Sequence, residues 1–378
     1  MRPVITQHQL DRALALRDLS DPASGPHAMQ LVAGAISDAL ERAWGAPVLV
    51  HRASPVVTIH ANYEVLGYPA AAAAREARYT RYVDERRLLR THMTAVVPEA
   101  LRRLVPPGGA GDVVVACPGL VYRRDVVDRL HVGEPHQLDL WRVRRGAPLA
   151  GADLDEMVAA VVAGVLPGAR HRTLAASHPY TTEGREVEVD RDEGWVELLE
   201  CSLAGAHVLE AGGLDPAEWS GLALGLGLDR ALMLRKGITE IRLLRSPDPR
   251  VAGQMLDLEP YRAVSAMPPT RRDLSIAVAS DLTAEELGDR IRERVEAGVL
   301  HTVEEMSVVA ETSTHDLPPQ AIARIGLRQG QKNVLVRLVI RHPTRTLTAE
   351  DANRTRDDVY AAIHEGDVYE WADRKTAP

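Results

Sequence analysis

Two arginines and one glutamate in this sequence could act together on a phosphate group. Arg123 follows the apolar run GDVVVACPGLVY, Arg230 follows the glycine-spaced run GLALGLGLD, and Glu197 lies within the apolar stretch GWVELLECSL. Fixed guanidinium groups bind phosphate oxygens, while a carboxylate in an apolar strand usually has a cationic partner or a ligand. An arginine at a strand end is most often an ordinary surface residue, so each is a weak signal alone. Together they favour catalysis by positioning and charge neutralisation, without a covalent intermediate.

The elements that must position these residues lie before residue 259. Apolar residues recur at every fourth position from Val32 to Trp44 and predict an amphipathic helix over about 27–44. The same spacing predicts a second helix over 153–166, and the stretch 221–236 predicts a strand that leads into a helix. Strand-like apolar runs occupy 47–60, 111–122, 136–143 and 194–203.

The segment 259–378 predicts a domain of its own. Its strands alternate with two helices, each opened by a capping box, Thr283 with Glu286 and Thr348 with Asp351. The order is β-α-β-β-α-β, which is ferredoxin-like. Its predicted strands are 273–278, 303–309, 333–340 and 367–372. We therefore predict a catalytic domain over 1–258 and a ferredoxin-like domain over 259–378.

Composition limits the class of protein. A chain of 378 residues with 26% charged residues is typical of a globular protein of about two domains. We find no apolar run of the roughly 20 residues needed to span a bilayer, and the charged N-terminus is no signal peptide. The separated Cys117 and Cys201 favour a reducing cytoplasm over a disulfide framework or zinc site. A net charge of -8 argues against a uniformly nucleic-acid-binding surface.

Several segments resemble phenylalanyl-tRNA synthetases in that family's order. VYRRDVVDRLHVGEPHQLDLW is similar to the second class II motif, LLRTHMTA to the family's LLRTHTSA, and GLALGLGLDRALMLRK to the third motif. SHPYTTEGREVEV resembles the family's FPF segment, and RRDLSIAV with GQKNVLVRLVIR resembles its anticodon-binding domain. The resemblance spans about 47–372. It implies an α+β fold, with an antiparallel class II sheet flanked by helices, in a layout like that of the single-chain enzymes.

The resemblance implies a ligase that uses ATP and Mg²⁺ to activate an amino acid and then charges tRNA. It implies that Arg123 grips the α-phosphate and that Arg230 clamps the far phosphate of ATP. Asp125 would contact the adenine amino group, and Glu197 would lie near ATP and its magnesium ion. His131 and His136 match family histidines, with His131 a candidate contact of ATP, although structural support of the motif-2 loop is an equally good interpretation for both.

The same resemblance assigns residues to the amino acid. His92, Thr94, Gln137 and Asp139 match positions that hold the ammonium and carboxylate groups, with Asp139 replacing a glutamate. Ala223 matches a small residue at the base of the side-chain pocket. The helix over 27–44 and the strand around Pro55, which matches the first class II motif, would form the interface of a possible homodimer.

Departures from the family predict a more polar side-chain pocket. His178 and Tyr180 stand where the family has two phenylalanines, and Glu200 and Ser202 stand where it has glycines. A buried carboxylate needs a cation or several donors, so we expect the substrate to be polar or basic rather than phenylalanine. The alternative is that Glu200 pairs with an arginine and shapes nothing. In a regular strand, moreover, Glu200 and Glu197 would point to opposite faces.

The absence of phenylalanine from the whole chain follows in part from these replacements. Drift of the amino-acid composition in an alanine- and arginine-rich chain would explain why phenylalanine is absent from the other positions as well. Selection for translation without charged phenylalanine tRNA is a bolder hypothesis.

The acceptor stays open at this stage. Residues 259–378 carry 16 Lys and Arg against 20 Asp and Glu, a net charge of -4 that is awkward for binding tRNA phosphates. A local basic face could still form from Arg271, Arg272, Arg337, Arg341 and Arg345. A complete tRNA ligase and an enzyme that activates an amino acid for a small molecule or carrier protein are both compatible with the sequence. A regulatory module with a dead site is disfavoured by the retained Arg123, Glu197 and Arg230.

Overall fold

The computed structural model describes residues 3–105, 111–124, 126, 128–191, 194–264 and 268–369. By contacts the chain divides into two compact units. The first comprises 1–123, 134–238 and 254–261, and the second comprises 124–133, 239–253 and 262–378. The domain boundary at 258/259 stays a prediction, and the contact-based units differ from it by grouping two earlier segments with the C-terminal residues. Among the described residues, no helix combines the length and apolar character that crossing a bilayer requires.

A seven-stranded sheet forms the centre of the first unit. Its order is β1-β4-β5-β9-β8-β7-β6, and every neighbouring pair is antiparallel except β1 with β4. A separate antiparallel pair joins β2 to β3. The strands are β1 (Val48–Val50), β2 (Val56–Thr58), β3 (Arg87–Leu89), β4 (Asp112–Leu120), β5 (His136–Arg145), β6 (His171–Ala175), β7 (Thr181–Arg191), β8 (Gly194–Ala204) and β9 (Trp219–Gly227). The large antiparallel sheet agrees with the predicted fold class.

One sequence expectation needs correction here. The run PVLVHRASPVVTIH was expected to form one strand, but it forms β1 and β2, which belong to different sheets. Pro55 follows the turn between them, and its carbonyl accepts a hydrogen bond from the Arg90 amide at 2.9 Å. Buried Arg90 also donates to the carbonyls of Leu120 and Ala53, both at 2.8 Å, so its guanidinium fastens this turn to the end of β4.

Helices pack on the central strands. The first unit has α1 (Gln7–Leu14), α2 (Ala28–Trp44), α3 (Val97–Leu104), α4 (Gly151–Val165), α5 (Ala206–Ala211) and α6 (Leu228–Lys236). Helices α2, α4 and α6 contact one another, while α3 packs on β4 and α5 on β9. Strand β4 is buried along almost its whole length, as expected of a strand with cover on both faces. The predicted helices 27–44 and 153–166 are confirmed to within two residues.

The second unit contains a three-stranded antiparallel sheet with the order β10-β12-β11. Its strands are β10 (Thr270–Ala279), β11 (Val303–Ser313) and β12 (Gln331–Ile340), and its helices are α7 (Pro249–Ala252), α8 (Ala284–Arg294), α9 (Ala297–Leu300), α10 (Pro319–Ile325) and α11 (Ala349–Ile363). Both predicted capping boxes are present, at Thr283 and Thr348. Residues 367–369 take no strand conformation, contrary to the predicted last strand, and 370–372 lie outside the described residues. The complete ferredoxin-like domain therefore stays a prediction.

The segment 124–133 is bound to helix α8 of the same unit. The Arg124 Nε atom lies 3.4 Å from an Asp289 carboxylate oxygen, and Arg292 donates to the Val126 carbonyl at 2.6 Å. The Asp289 carboxylate is almost completely buried, so its charge needs these cations. Contacts of this kind explain why the segment groups with the C-terminal residues.

A close approach of α2 and α4 at Gly164 gives a first prediction. A Cβ atom added there would lie 3.0 Å from the Ala35 carbonyl oxygen and the Ile36 Cα atom, both backbone atoms. We expect Gly164→Ala to lower the free energy of unfolding by about 1–3 kcal/mol, because the helices must move apart. Gly34→Ala is the matched control on α2, since its Cβ would meet nothing within 4 Å. It should stabilise by up to about 1 kcal/mol. Urea unfolding of both variants measures the contrast, and equal effects would contradict it.

Candidate active site

A row of directly paired residues crosses one face of the central sheet. Asp139 on β5 is paired with Gly225 on β9, Gly225 with Glu200 on β8, and Glu200 with Glu186 on β7. Directly paired residues of antiparallel strands project from the same face. Asp139, Glu200 and Glu186 therefore share one face, with a glycine between the first two.

A β-bulge brings Glu197 to this face as well. Glu186 is paired with Glu200, but Glu188 is paired with Glu197, because the register shifts between Val187 and Glu188. Glu186 and Glu188 are two residues apart on β7 and share a face, so their partners share it too. The expectation from regular alternation, that Glu197 and Glu200 point to opposite faces, is wrong for this reason.

Both candidate phosphate-binding arginines act on this face. Arg230, in the first turn of α6, lies 2.9 Å from the Glu197 carboxylate. Arg123 follows β4 and is held by a 2.7 Å hydrogen bond from its Nε to the Thr91 carbonyl. Its positive charge acts on the carboxylates of Asp139 and Glu200. The structure therefore brings the two arginines, from distant parts of the chain, to one side of one sheet.

Asp139 is the buried carboxylate of the site. Its Oδ2 accepts a 2.6 Å hydrogen bond from the Thr94 hydroxyl, and the Trp141 side chain donates to it as well. Burial raises the pKa of Asp139 to about 6, although these two hydrogen bonds and the Arg123 charge oppose the shift. Nearby, Gln137 accepts a 3.2 Å hydrogen bond from the Met93 amide. The Asp139 carboxylate is thus held in place and would gain from contact with a cation.

Four rings form a connected series beside Asp139. His178 stacks on Tyr180 with ring centroids 5.3 Å apart, and Tyr68 stacks on His92 at 5.7 Å. Tyr68 also contacts Tyr180 at 6.2 Å, which joins the two pairs. Burial raises the pKa of Tyr68 to about 12. Sequence analysis missed Tyr68, and its one local signal is the preceding Gly67, whose φ of 76° turns the chain there.

Glu200 pairs with a histidine and not with an arginine. Its carboxylate lies 3.1 Å from the His178 Nε2 atom. The contact with Glu200 raises the pKa of His178, and the same contact lowers the pKa of Glu200. The alternative that Glu200 serves an arginine pair is therefore wrong: its partner is one of the two residues that replace the family's pocket phenylalanines.

His92 is a neutral imidazole inside the site. Both of its ring nitrogens are buried and make no hydrogen bond of normal geometry within the described residues, although the Asn62 carbonyl lies nearby. Burial, followed by the charge of Arg123, lowers the pKa of His92 to about 3. An imidazole in this state has one donor and one acceptor to offer to a bound molecule.

Two further predicted residues form the floor of the site. Ala223 and Ser202 are paired on β9 and β8, and Ala223 is also paired with Trp141 on β5. All three are buried in the row next to that of Asp139. Their positions agree with a small-residue floor beneath the rings.

Two histidines that match the family make contacts of their own. His136 is buried, receives a hydrogen bond from the Leu19 amide at 3.0 Å and contacts the Asp229 carboxylate at 3.2 Å, so it supports the fold. His131 belongs to the segment 124–133 of the second unit, where its ring contacts Asp128 at 2.7 Å. Asp125 lies outside the described residues.

The carboxylates of Glu197 and Glu186 lie near Arg230. Within the described residues, no group of three or more His, Cys, Asp and Glu side chains has metal-binding geometry. Burial raises the pKa of Glu186, and the neighbouring charges of Glu197, Glu188 and Glu200 raise it further. Of these, Glu197 and Glu186 fit a magnesium ion that takes few ligands from the protein and the others from phosphate oxygens and water.

Comparisons with known proteins agree with this geometry. Residues 27–255 match the family model described as tRNA synthetases class II core domain (F). The chain therefore belongs to the class II tRNA synthetase core family. The match ends before β10, so the nature of the C-terminal residues stays a prediction.

The curated relatives are named phenylalanine–tRNA ligase alpha subunit. The one from Prochlorococcus marinus (strain MIT 9313) is 36% identical over 199 residues, 53% of this chain and 57% of that protein. The one from Synechocystis sp. (strain ATCC 27184 / PCC 6803 / Kazusa) is 34% identical over 200 residues, 53% and 58% of the two chains. The chain thus spans less than two thirds of the length of these relatives. Pyrrolysyl-tRNA synthetase from Desulfitobacterium hafniense aligns with a TM-score of 0.45 and 18% identity over 64% of this chain and 78% of that chain, a likeness too weak for further inference.

The raised pKa of Asp139 predicts a stability effect that depends on pH. Asp139 ionises near pH 6 in the folded protein but near its ordinary 3.8 when unfolded. Folding stability is therefore lost as pH rises through this window, by at most about 3 kcal/mol at about 1.4 kcal/mol per unit. We expect Asp139→Asn to become more stable relative to the unsubstituted protein between pH 4 and pH 8.

Thermal unfolding across this pH range measures the effect. Asp273→Asn is the control of opposite sign, because the Arg337 hydrogen bond lowers the pKa of Asp273. Asp273→Asn should therefore lose stability relative to the unsubstituted protein, and this loss should grow weakly as pH rises. A pH-independent difference for Asp139→Asn would refute the buried-carboxylate interpretation.

Proposed function

We propose that the protein activates an amino acid with ATP to form an aminoacyl-adenylate and transfers it to tRNA. The observation that carries this proposal is the arrangement of Arg123, Arg230 and buried Asp139 on one sheet face. Membership of the class II tRNA synthetase core family and similarity to phenylalanine–tRNA ligase alpha subunits support it. The family model matches residues 27–255 only, so the activity of the whole protein is part of the proposal.

In this proposal the arginines bind the triphosphate at two ends. Arg123 would hold the α-phosphate, which the amino acid carboxylate attacks, and Arg230 would hold the far phosphate. Negative charge that grows on the phosphate oxygens is then stabilised by groups already fixed in place. Glu197 orients Arg230, and Glu197 with Glu186 would hold Mg²⁺, which neutralises phosphate charge when bound.

The amino acid would bind at the buried end of the same face. Its ammonium group would pair with Asp139, whose raised pKa reflects a carboxylate without a full counter-charge. The Thr94 hydroxyl donates a hydrogen bond to this carboxylate, and the Gln137 side chain accepts one from the backbone amide of Met93. The unsatisfied nitrogens of His92 can bond to the bound molecule.

The side-chain pocket supports a substrate other than phenylalanine. His178 and Tyr180 place polar atoms where the family has phenylalanine rings, and Glu200 adds a carboxylate on the same face. An apolar ring bound there would have to desolvate an ion pair without supplying a hydrogen bond in return. We therefore propose a polar side chain as the substrate.

Amino-acid-dependent exchange of pyrophosphate into ATP tests the activation step. Arg123→Ala and Arg230→Ala should each reduce exchange by a factor of about 100 or more, since each removes charge stabilisation of the transition state. Arg172→Ala is the control, because Arg172 lies on edge strand β6 and pairs with Glu188 at 2.5 Å. Activity of both site variants within a few-fold of the unsubstituted protein would exclude the proposed roles.

A second candidate is activation for an acceptor other than tRNA. Three of the five arginines that could form a basic face are paired with carboxylates: Arg337 with Asp273 at 2.8 Å, Arg341 with Glu304 at 2.7 Å, and Arg345 with Asp351 at 3.2 Å. The segment 259–378 as a whole also has a net charge of -4, which does not favour the binding of tRNA phosphates. This observation favours a small-molecule or carrier-protein acceptor.

A homodimer through α2 and the chain around Pro55 remains a proposal for either function.

Transfer to total tRNA at several salt concentrations separates the two candidates. A tRNA ligase that binds phosphates should charge tRNA and should lose affinity steeply with salt. The proposed transfer to tRNA therefore predicts charging that weakens steeply as salt rises, whereas robust activation without charging, or charging that depends weakly on salt, would favour the second candidate. Efficient charging with a steep salt dependence would exclude the second candidate.

A further inference from the structure

Glu200 has no role in the proposed activation chemistry, yet its carboxylate faces the site. It stands two strands from Asp139, with Gly225 between them. At about 4.8 Å per strand spacing, the two backbones are roughly 10 Å apart, and both side chains project over the glycine. A Cβ atom at Gly225 would meet only the Asp139 Oδ1 atom within 4 Å, at 3.6 Å, among the described residues. The space above Gly225 is therefore bounded by a carboxylate at each end.

The electrostatic balance of this space favours a cation. Bound phosphates would occupy Arg123, whose charge acts on Glu200, and Arg230, which pairs with Glu197. Glu200 then keeps His178 as its counter-charge, at 3.1 Å. The His178 imidazolium can lose its proton when an ammonium group binds to Glu200. Such an ammonium group can therefore replace His178 as the partner of Glu200.

The ring series leaves little room for an aromatic substrate. A ring placed between two others needs about 7 Å between their centroids, from two contacts of about 3.5 Å. The Tyr68–His92 and Tyr68–Tyr180 separations are 5.7 and 6.2 Å, so a substrate ring cannot be inserted between either pair. A flexible methylene chain, by contrast, can lie along the ring faces and carry a charge at its end.

Given the proposed activation reaction, we infer that the substrate is an amino acid with a cationic side chain, of the diamino-acid type that includes lysine and ornithine. Its α-ammonium group pairs with Asp139, its methylene chain crosses Gly225 beside Tyr68 and Tyr180, and its terminal ammonium pairs with Glu200. Glu200 is thereby the residue that determines specificity.

The test is pyrophosphate exchange at saturating ATP with matched amino acids. Lysine is compared with norleucine, which has a similar shape but no terminal ammonium, and ornithine, arginine, phenylalanine, tyrosine and leucine complete the set. We expect exchange with a diamino acid and a preference of about tenfold or more over the neutral isostere, because only a terminal ammonium can make a charged hydrogen bond with the half-exposed Glu200 carboxylate.

Two variants locate the effect at Glu200. Glu200→Gln should raise the KM for the cationic amino acid about tenfold or more while the KM for ATP stays within about twofold, because a charged hydrogen bond is lost at the side-chain end alone. Glu188→Gln is the control on the same face, since Glu188 pairs with Arg172 at the edge of the sheet. It should change neither KM.

The outcomes separate this inference from the proposed function. Exchange with phenylalanine or another neutral amino acid, unchanged by Glu200→Gln, would overturn the inference and leave activation intact. Exchange with no amino acid, by protein with a normal unfolding transition, would reject activation and the inference together. If Glu200→Gln does not fold, the lysine-to-norleucine ratio of the unsubstituted protein still decides the matter.

Discussion

The register shift between β7 and β8 is the constraint on which the candidate site depends. One extra residue in β8 turns Glu197 to the face that already carries Glu200, Glu186 and Asp139. Without the bulge, Glu197 would project from the opposite face, and Arg230 would lose the carboxylate that holds it. This local irregularity therefore gathers the Glu197 carboxylate and its partner Arg230 on the surface that also carries Glu200 and Asp139.

Glycines on β9 make the same surface usable. Gly225 and Gly227 lie on one face of the strand and leave room beside their β5 partners Asp139 and Gln137. A larger residue at Gly225 would stand directly between the carboxylates of Asp139 and Glu200. The buried Asp139, the neutral His92 and the His178–Glu200 pair are each incompletely compensated in the free protein. Polar groups held at this cost are typical of sites whose ligand supplies the missing partner.

Much of the sheet and of the site could be predicted from the sequence, because apolar periodicity and the family motifs indicate which strands carry Asp139 and Glu197 and which strand leads into the helix of Arg230. What could not be predicted depends on contacts between distant residues. The bulge in β8 cannot be predicted from the residues of β8 alone, because a bulge is defined by the pairing of one strand with its neighbour, here β7. The partner of Glu200 is His178, 22 residues earlier in the chain, and no local pattern indicates that pairing. Tyr68 reaches the site because the chain turns at Gly67. The glycine in the sequence indicates a turn, but it does not indicate where the turn directs the next side chain.

The central claim is that Arg123 and Arg230 bind the two ends of one triphosphate on this sheet face. A crystal structure of the protein with ATP and magnesium is its most direct test. We expect an α-phosphate oxygen within about 3 Å of the Arg123 guanidinium and a terminal phosphate oxygen at a similar distance from Arg230. A nucleotide bound away from this face, or one whose phosphates touch neither guanidinium, would contradict the claim.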